Sequence, residues 1–223
     1  MGEATQARAA RRGPRKPPVR ARRTHAQRTA ETREKLLSAV VASIAEVGLA
    51  RTTAPEIARR AGVTWGAVQH HFGGKDGILV AVLDDSFRRL AERIGSIPVE
   101  GTALAERVSS FVERSFEHLS SPHYRSTVEI LRHVTGRGRG RVGDEWRERM
   151  RQDWKRLWQR LFADARAPRA RQLVLQHYAL SLLSGIASSV LLEYASDGIL
   201  NAELALLKET LVRELGAEPA EPV

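Results

Sequence analysis

The sequence has no cysteine. That excludes disulfides, zinc ribbons and thiol redox sensing, and it suits a reducing compartment. No uncharged run is long enough to cross a bilayer. With histidine counted as charged, the longest, Tyr178–Leu192, has 15 residues and is rich in serine, which fits a buried helix better than a membrane span. The N-terminal segment is rich in arginine but has no apolar core, so no secretory signal is expected. From Thr102 on, no stretch alternates apolar and polar residues as a half-buried strand does. A nucleophile elbow, a phosphate loop and paired carboxylates are also missing, so neither an enzyme nor a cofactor is expected. His70 and His71 are adjacent and point about 100° apart on a helix. His118, His123, His133 and His177 are scattered, so no metal site is expected.

What is present is positive charge, unevenly placed. The 223 residues suffice for one large domain or two small ones and carry a formal net charge of +10. Residues 1–28 hold nine of the 36 Lys and Arg side chains against Glu3 alone, and the remaining 27 basic and 25 acidic residues nearly balance. Residues 1–23, with Pro14, Pro17 and Pro18 and almost no large apolar side chain, bury too little to order themselves. They read as a disordered basic arm, either a solubilising tail or a segment lying along DNA phosphates.

The stretch Thr53–Lys75, TAPEIARRAGVTWGAVQHHFGGK, fits two short helices with a sharp turn between them. Thr53 can cap the first, with Glu56 reaching back as a capping box, and Pro55 sits in the first turn, where its missing N–H costs nothing. Ile57, Ala58 and Ala61 form an apolar face, and Ala58 is small enough for a second helix to cross closely. Gly62 suits the turn. Thr64 can cap a helix Trp65–Phe72 whose Val68 and Phe72 face inward. The Ala58, Gly62, Val68 spacing is that of a helix-turn-helix, whose second helix enters the DNA major groove. Thr64, Trp65, Gly66, Gln69 and His70 are left facing outward. Gln69 carries the donor–acceptor pair that suits adenine, and Trp65 can stack on a sugar or touch a thymine methyl. Gly66 allows close backbone approach. Lys75 and Thr53, each at a helix start, are candidate phosphate contacts.

The run Val63, Thr64, Trp65, Gly66, Ala67, Val68, Gln69, His70, His71, Phe72, Gly73, Gly74, Lys75 resembles the DNA-binding region of the TetR family of bacterial transcription regulators. It matches in spacing and at Gly66, His71, Phe72 and Lys75. It departs at Gln69, where the family usually has Tyr, and at Ala67, where Thr is common. The resemblance covers roughly residues 29–94, and beyond that it extends only to helical layout.

The rest of the chain reads as helices. Leu36, Leu37, Val40, Val41, Ile44 and Val47 mark a first helix over residues 29–47, ended by Gly48. Ile78, Leu79, Val82, Leu83, Phe87, Leu90 and Ile94 mark a fourth, opened at Lys75 or Asp76. Leu104 to Leu119 and Tyr124 to Val134 give two more, the latter with Ser121 as cap and Pro122 at its first position. A Gly- and Arg-rich loop follows over residues 136–143. Asp144 is the expected cap of a helix carrying Trp146, Met150, Trp154, Leu157, Trp158 and Leu161, which is either ordinary core or the wall of a ligand cavity. Pro168 starts a long helix to about residue 195, with Ser181, Ser184, Gly185, Ala187, Ser188 and Ser189 small enough for close approach. Asn201 is the expected cap of a last helix with Leu204, Leu207, Leu211 and Leu215.

The expected fold is therefore all-α. A basic arm (1–23) precedes a three-helix DNA-binding head with the helix-turn-helix (24–75). A connecting fourth helix (76–97) leads to a helical ligand-binding and dimerisation domain (98–223). The apolar and small faces of the two terminal helices suggest a four-helix interface between two copies, intramolecular packing alone being the alternative, and the absence of cysteine suits the cytoplasm, with no membrane partner. What the resemblance implies is that the two heads bind a near-palindromic double-stranded operator, and that a small molecule in the C-terminal domain displaces the fourth helix and releases the DNA. Phe111, Phe116, Trp154, Trp158, His133 and His177 are the candidate ligand contacts. The alternative is a non-sensing basic protein that coats DNA and draws most of its affinity from the arm.

Overall fold

The computed structural model describes residues 24–136, 141–194 and 196–217. Among the described residues there are nine α-helices and no strand: α1 (His25–Val47), α2 (Ala54–Ala61), α3 (Trp65–Phe72), α4 (Lys75–Gly95), α5 (Leu104–Leu119), α6 (Pro122–Gly136), α7 (Arg141–Leu161), α8 (Arg169–Leu191) and α9 (Asp197–Gly216). The basic arm and residues 137–140 of the Gly- and Arg-rich loop lie outside them.

Several helix starts differ from expectation. α1 begins four residues before Thr29 because Thr24 and Gln27 form a reciprocal capping box. The Gln27 N–H donates to Thr24 Oγ1 (3.2 Å) and the Thr24 N–H donates to Gln27 Oε1 (2.9 Å). α7 begins at Arg141, so Asp144 lies inside its first turn and is not the cap. α9 begins at Asp197 after Ser196, which leaves Asn201 a full turn inside. Pro168 is the residue before α8 and not its first, and α8 ends at Leu191.

Two apolar clusters organise the chain. In the head, Leu36, Val40 and Ile44 of α1, Ile57 and Ala58 of α2, Val68 of α3 and Ile78, Leu79, Val82 and Leu83 of α4 are all buried together. Each large aliphatic side chain so buried contributes about 1.5–3 kcal/mol. Ile130 of α6 and Trp146 of α7 belong to this same cluster, although they come from the second half of the chain. The other cluster joins Leu90 and Ile94 of α4 to Phe111 of α5, Trp158 and Leu161 of α7, Leu183 of α8, and Leu207, Leu211 and Leu215 of α9. α4 thus runs from one core into the other.

Two polar contacts tie α6 to the head: the Leu49 N–H donates to Glu129 Oε2 (3.1 Å), and Ser126 Oγ donates to the Val41 carbonyl (3.2 Å). Arg107 of α5 is only 2% exposed. It donates to the Leu161 carbonyl (2.6 Å) and, in a fork, to both oxygens of Asp164 (2.7 and 2.6 Å). That fork holds the end of α7 against α5.

The expectation of a buried helix over Tyr178–Leu192 holds for one face only. Leu175, Ala179, Leu183, Ile186 and Ala187 are inside, whereas Leu173, Val174 and Tyr178 are exposed. The stretch Arg169–Val190 is long and apolar enough to cross a membrane by length and composition, and a third of it is buried.

Candidate functional site

The head presents α3 as expected. Thr64 takes an extended backbone and its Oγ1 accepts the Ala67 N–H (3.3 Å), so its own O–H stays available to an acceptor. Val68 is fully buried and Phe72 packs half-buried on the head core, with the Arg33 guanidinium 5.0 Å from its ring centroid. This anchoring turns Thr64, Gly66, Gln69 and His70 outward, all exposed. Trp65 differs: it is half-buried and leans on the head core, so only part of its ring faces out. His71 is half-buried, with its ring between those of His70 (5.3 Å) and Phe72 (6.2 Å). α3 carries no acidic residue that would repel a polyanion.

Gly62 ends α2 in the left-handed region (φ 67°) and lets the chain turn sharply into α3. Thr53 caps α2 by accepting the Glu56 N–H (3.4 Å), but the expected box is only half formed. The Glu56 carboxylate is taken by Arg59 and Arg60, whose guanidinium groups hold its pKa down at about 2. Lys75 opens α4 and is half-exposed. The cap before it is Gly74, which has no side chain to occupy the first amides of α4. Those amides, the Lys75 ammonium and the Thr53 hydroxyl are the kind of donors that receive phosphate oxygens.

Two glycines set the α3–α4 junction in ways that sequence spacing does not disclose. A Cβ at Gly77 would stand 1.8 Å from the Phe72 carbonyl oxygen, so α4 passes α3 at a distance only glycine permits. A Cβ at Gly74 would stand 3.2 Å from Gln69 Oε1, so the Gln69 amide lies back over the turn.

A cavity of about 580 Å³ lies between α4, α5, α6, α7 and α8. Leu83, Ser86, Phe87 and Leu90 of α4 line one wall. His118, Leu119, Tyr124, Thr127 and Leu131 line the second. Trp146, Arg147, Met150, Arg151 and Trp154 of α7 line the third, with Leu180 of α8 at one end. His118 Nε2 sits 3.2 Å from Ser86 Oγ, and burial lowers the His118 pKa to about 4, so the imidazole is neutral near pH 7. Burial also raises the Tyr124 phenol.

Of the six ligand candidates named from sequence, only Trp154 lines this cavity. Phe111 stands behind it with ring centroids 6.0 Å apart, and Trp158 packs edge-on to Phe111 at 5.5 Å, both deep in the second core. Phe116 packs half-buried on that same core, His133 is half-exposed, and His177 lies exposed on the outer face of α8. The tryptophan stripe therefore divides: Trp146, Met150 and Trp154 face the cavity, and Trp158 and Leu161 face the core. The i, i+4 repeat of Trp146, Met150 and Trp154 is visible in sequence; which helices stand apart opposite it is not. Among the described residues no three His, Asp or Glu side chains converge as metal ligands would.

Residues 36–82, from α1 to the middle of α4, match the family model described as "Bacterial regulatory proteins, tetR family". The chain is 36% identical over 87 residues to the HTH-type transcriptional regulator BetI 2 of Chromohalobacter salexigens. It is 34% identical over 86 residues to BetI of Stenotrophomonas maltophilia. These alignments take in 38% of this chain, and it spans less than half the length of those relatives, 42% and 44%. The fold likeness runs further. A transcriptional regulator from Rhodococcus sp. Rha1 superposes with a TM-score of 0.63 at 20% identity over 84% of this chain and 99% of its own. The fatty acid degradation regulator FadR from Bacillus halodurans gives 0.60 at 18% identity over 81% and 94%. The multidrug binding protein EbrR, complexed with imidazole, gives 0.59 at 19% identity over 85% and 97%. Residues 36–82 thus carry the sequence pattern of the tetR family's DNA-binding head, and the all-helical fold around it is like that of solved regulators.

Proposed function

We propose that the protein is a homodimeric, sequence-specific DNA-binding regulator of transcription in the cytoplasm, a repressor that leaves its near-palindromic operator when a small molecule enters the cavity. The observation that carries this reading is the anchoring of α3: Val68 is fully buried, which leaves Thr64, Gly66, Gln69 and His70 exposed on one face with no acidic neighbour on the helix. Gln69 reads a base, while Thr53, Lys75 and the free amides at the start of α4 hold phosphates. α4 supplies Leu83, Ser86, Phe87 and Leu90 to the cavity and Ile78, Leu79 and Val82 to the head core. A ligand that displaces its second half therefore tilts the head, and two tilted heads no longer match major grooves roughly 34–36 Å apart. That the relatives matching the head are transcriptional regulators supports the DNA-binding part of this reading, and that a neighbour in fold is a multidrug binding protein complexed with imidazole supports the ligand part.

The test is selection of bound duplexes from a random pool, repeated with two variants. Gln69→Ala is expected to relax base preference at one position of each half-site, with a loss of about 1–3 kcal/mol for the preferred base. Lys75→Ala is expected to weaken all sequences about equally and lower the salt slope by about 1. A wild-type protein that enriches no sequence would remove the reading. The coating alternative predicts that deletion of residues 1–23 abolishes binding. A regulator that reads its operator through α3 keeps its base preference after that deletion.

A further inference from the structure

The cavity between α4, α6 and α7 offers no charge to a ligand of either sign, but it keeps one hydrogen-bonding group. We infer that its ligand is an uncharged, mainly apolar molecule, with its body against Phe87, Leu90, Leu131 and Met150 and one hydroxyl or carbonyl group at the Tyr124 phenol. The inference rests on the reading of this cavity as the effector site and adds the ligand class.

Three observations carry it. The first is electrostatic. The lining holds no carboxylate to meet a cation. Its two guanidinium groups are not open to an anion: Arg151 is exposed to solvent and ion-paired with Glu148, and Arg147 is engaged in a contact of its own. The His118 imidazole is neutral near pH 7. A charged head of either sign would therefore leave water without gaining a partner, which is costly. The second is the make-up of the walls. Leucine, methionine and aromatic side chains form most of the surface, and Phe87 meets Trp154 edge-on at 6.4 Å. A volume of about 580 Å³ accommodates an organic molecule of drug size. The third is which polar group remains. Ser86 and His118 face each other at 3.2 Å, and the Thr127 hydroxyl donates to the His123 carbonyl (3.3 Å). The indole N–H groups of Trp146 and Trp154 are buried away from the open space. Tyr124 donates its backbone N–H to Ser121 Oγ and sets its ring against His118 (5.4 Å), while its hydroxyl is bonded to none of the described residues. Burial raises its pKa, so the phenol stays protonated and can donate to a carbonyl or accept from a hydroxyl.

The experiment uses the full chain and four probes that share one ring body: naphthalene, naphthol, naphthoate and naphthylmethylammonium, the last three substituted at the same ring position. Binding is followed by titration calorimetry at neutral pH, and operator occupancy is measured beside it. Naphthol is expected to bind most tightly, roughly tenfold or more above either ion. Tyr124→Phe removes one oxygen and keeps the ring, so naphthol is expected to fall about three- to tenfold, to the level of naphthalene. Naphthalene has no polar group to lose and should bind the variant as it binds the wild type. Met150→Trp, which narrows the cavity, is expected to weaken both neutral probes, with a thermal melt to show that the variant is folded. An ion of either sign that binds as tightly as naphthol overturns the inference. So does a naphthol advantage over naphthalene that survives Tyr124→Phe, or neutral binding that a folded Met150→Trp leaves untouched. No binding by any probe overturns both the ligand class and the effector site. The expected order without any loss of operator occupancy supports the ligand class and sinks the effector reading.

Discussion

Gly66 is the residue whose cost the protein itself does not explain. A Cβ there would meet only Thr64 Oγ1, at an ordinary 3.7 Å, and the backbone is helical. Gly66→Ala should therefore stabilise the head by roughly 1 kcal/mol. If the glycine serves close approach of α3 to a duplex, the same variant loses operator affinity about tenfold or more. A thermal melt beside an operator titration checks both, and a variant that is more stable and binds equally well would show that the backbone does not approach the DNA there. Gly77 is the opposite case, because its missing Cβ would overlap the Phe72 carbonyl. His118 supplies a second residue-scale expectation. Its folded pKa of about 4 lies below the ordinary value of 6.5, through burial first and the nearby His123, Arg93 and Arg89 second. The unfolded chain binds the proton more readily, so the His118 contribution is full above about pH 6.5 and is lost as the pH falls toward 4. Comparing acid unfolding of the wild type with His118→Gln isolates it. The wild type should lose on the order of 2 kcal/mol more than the variant across that window, and parallel curves would mean that His118 protonates freely in the fold.

At the scale of elements, α6 works on both sides. Tyr124, Thr127 and Leu131 face the cavity, while Ser126, Glu129 and Ile130 reach the head, Ile130 as part of its core. α4 is then one of three helices that span cavity and head, α7 being the third through Trp146. Ile130→Ala removes a fully buried side chain from the head cluster and should cost about 2–5 kcal/mol. Amide hydrogen exchange should locate that loss in α1 and α4 as well as α6. Faster exchange confined to α6 would mean that the head holds itself together without it. This element also marks the limit of what the sequence discloses. Period and caps are enough for α2 and α3, where Thr53, Gly62, Thr64, Val68 and Phe72 act within a few residues of one another. They give α6 a face of Tyr124, Val128, Leu131 and Val134 but not the burial of Ile130, because the cluster it joins, with Val40 and Ile78, is built from residues far along the chain. Cavity residues are hidden for the same reason. Trp154 and Trp158 look alike in sequence, and only the spacing of α4 and α6 around α7 decides which one meets open space.

At the scale of the molecule, the question is what covers α8 and α9. α8 is apolar on both faces: one side enters the second core, and the other leaves Val174 56% and Tyr178 39% exposed beside the small residues Ser181, Gly185 and Ser188. α9 adds Ile199 and Leu206, 55% and 59% exposed. An apolar face with a strip of small residues suits a second copy of the same helices, packed as a four-helix interface about a two-fold axis. In this arrangement the dimer sets the separation of the two heads, so pairing and operator affinity rise or fall together. Val174→Arg combined with Leu206→Arg places charge on that face without touching either core. Sedimentation should fall from twice the 24.8 kDa chain mass to the single chain, with the helical content kept. Operator affinity should drop by about 10²–10⁴-fold, the loss of the effective concentration that one bound head gives the other, while the weak binding of random duplex changes little. A variant that still sediments as a pair would place the interface elsewhere, and a monomer that holds the operator as tightly as the wild type would mean that one head suffices.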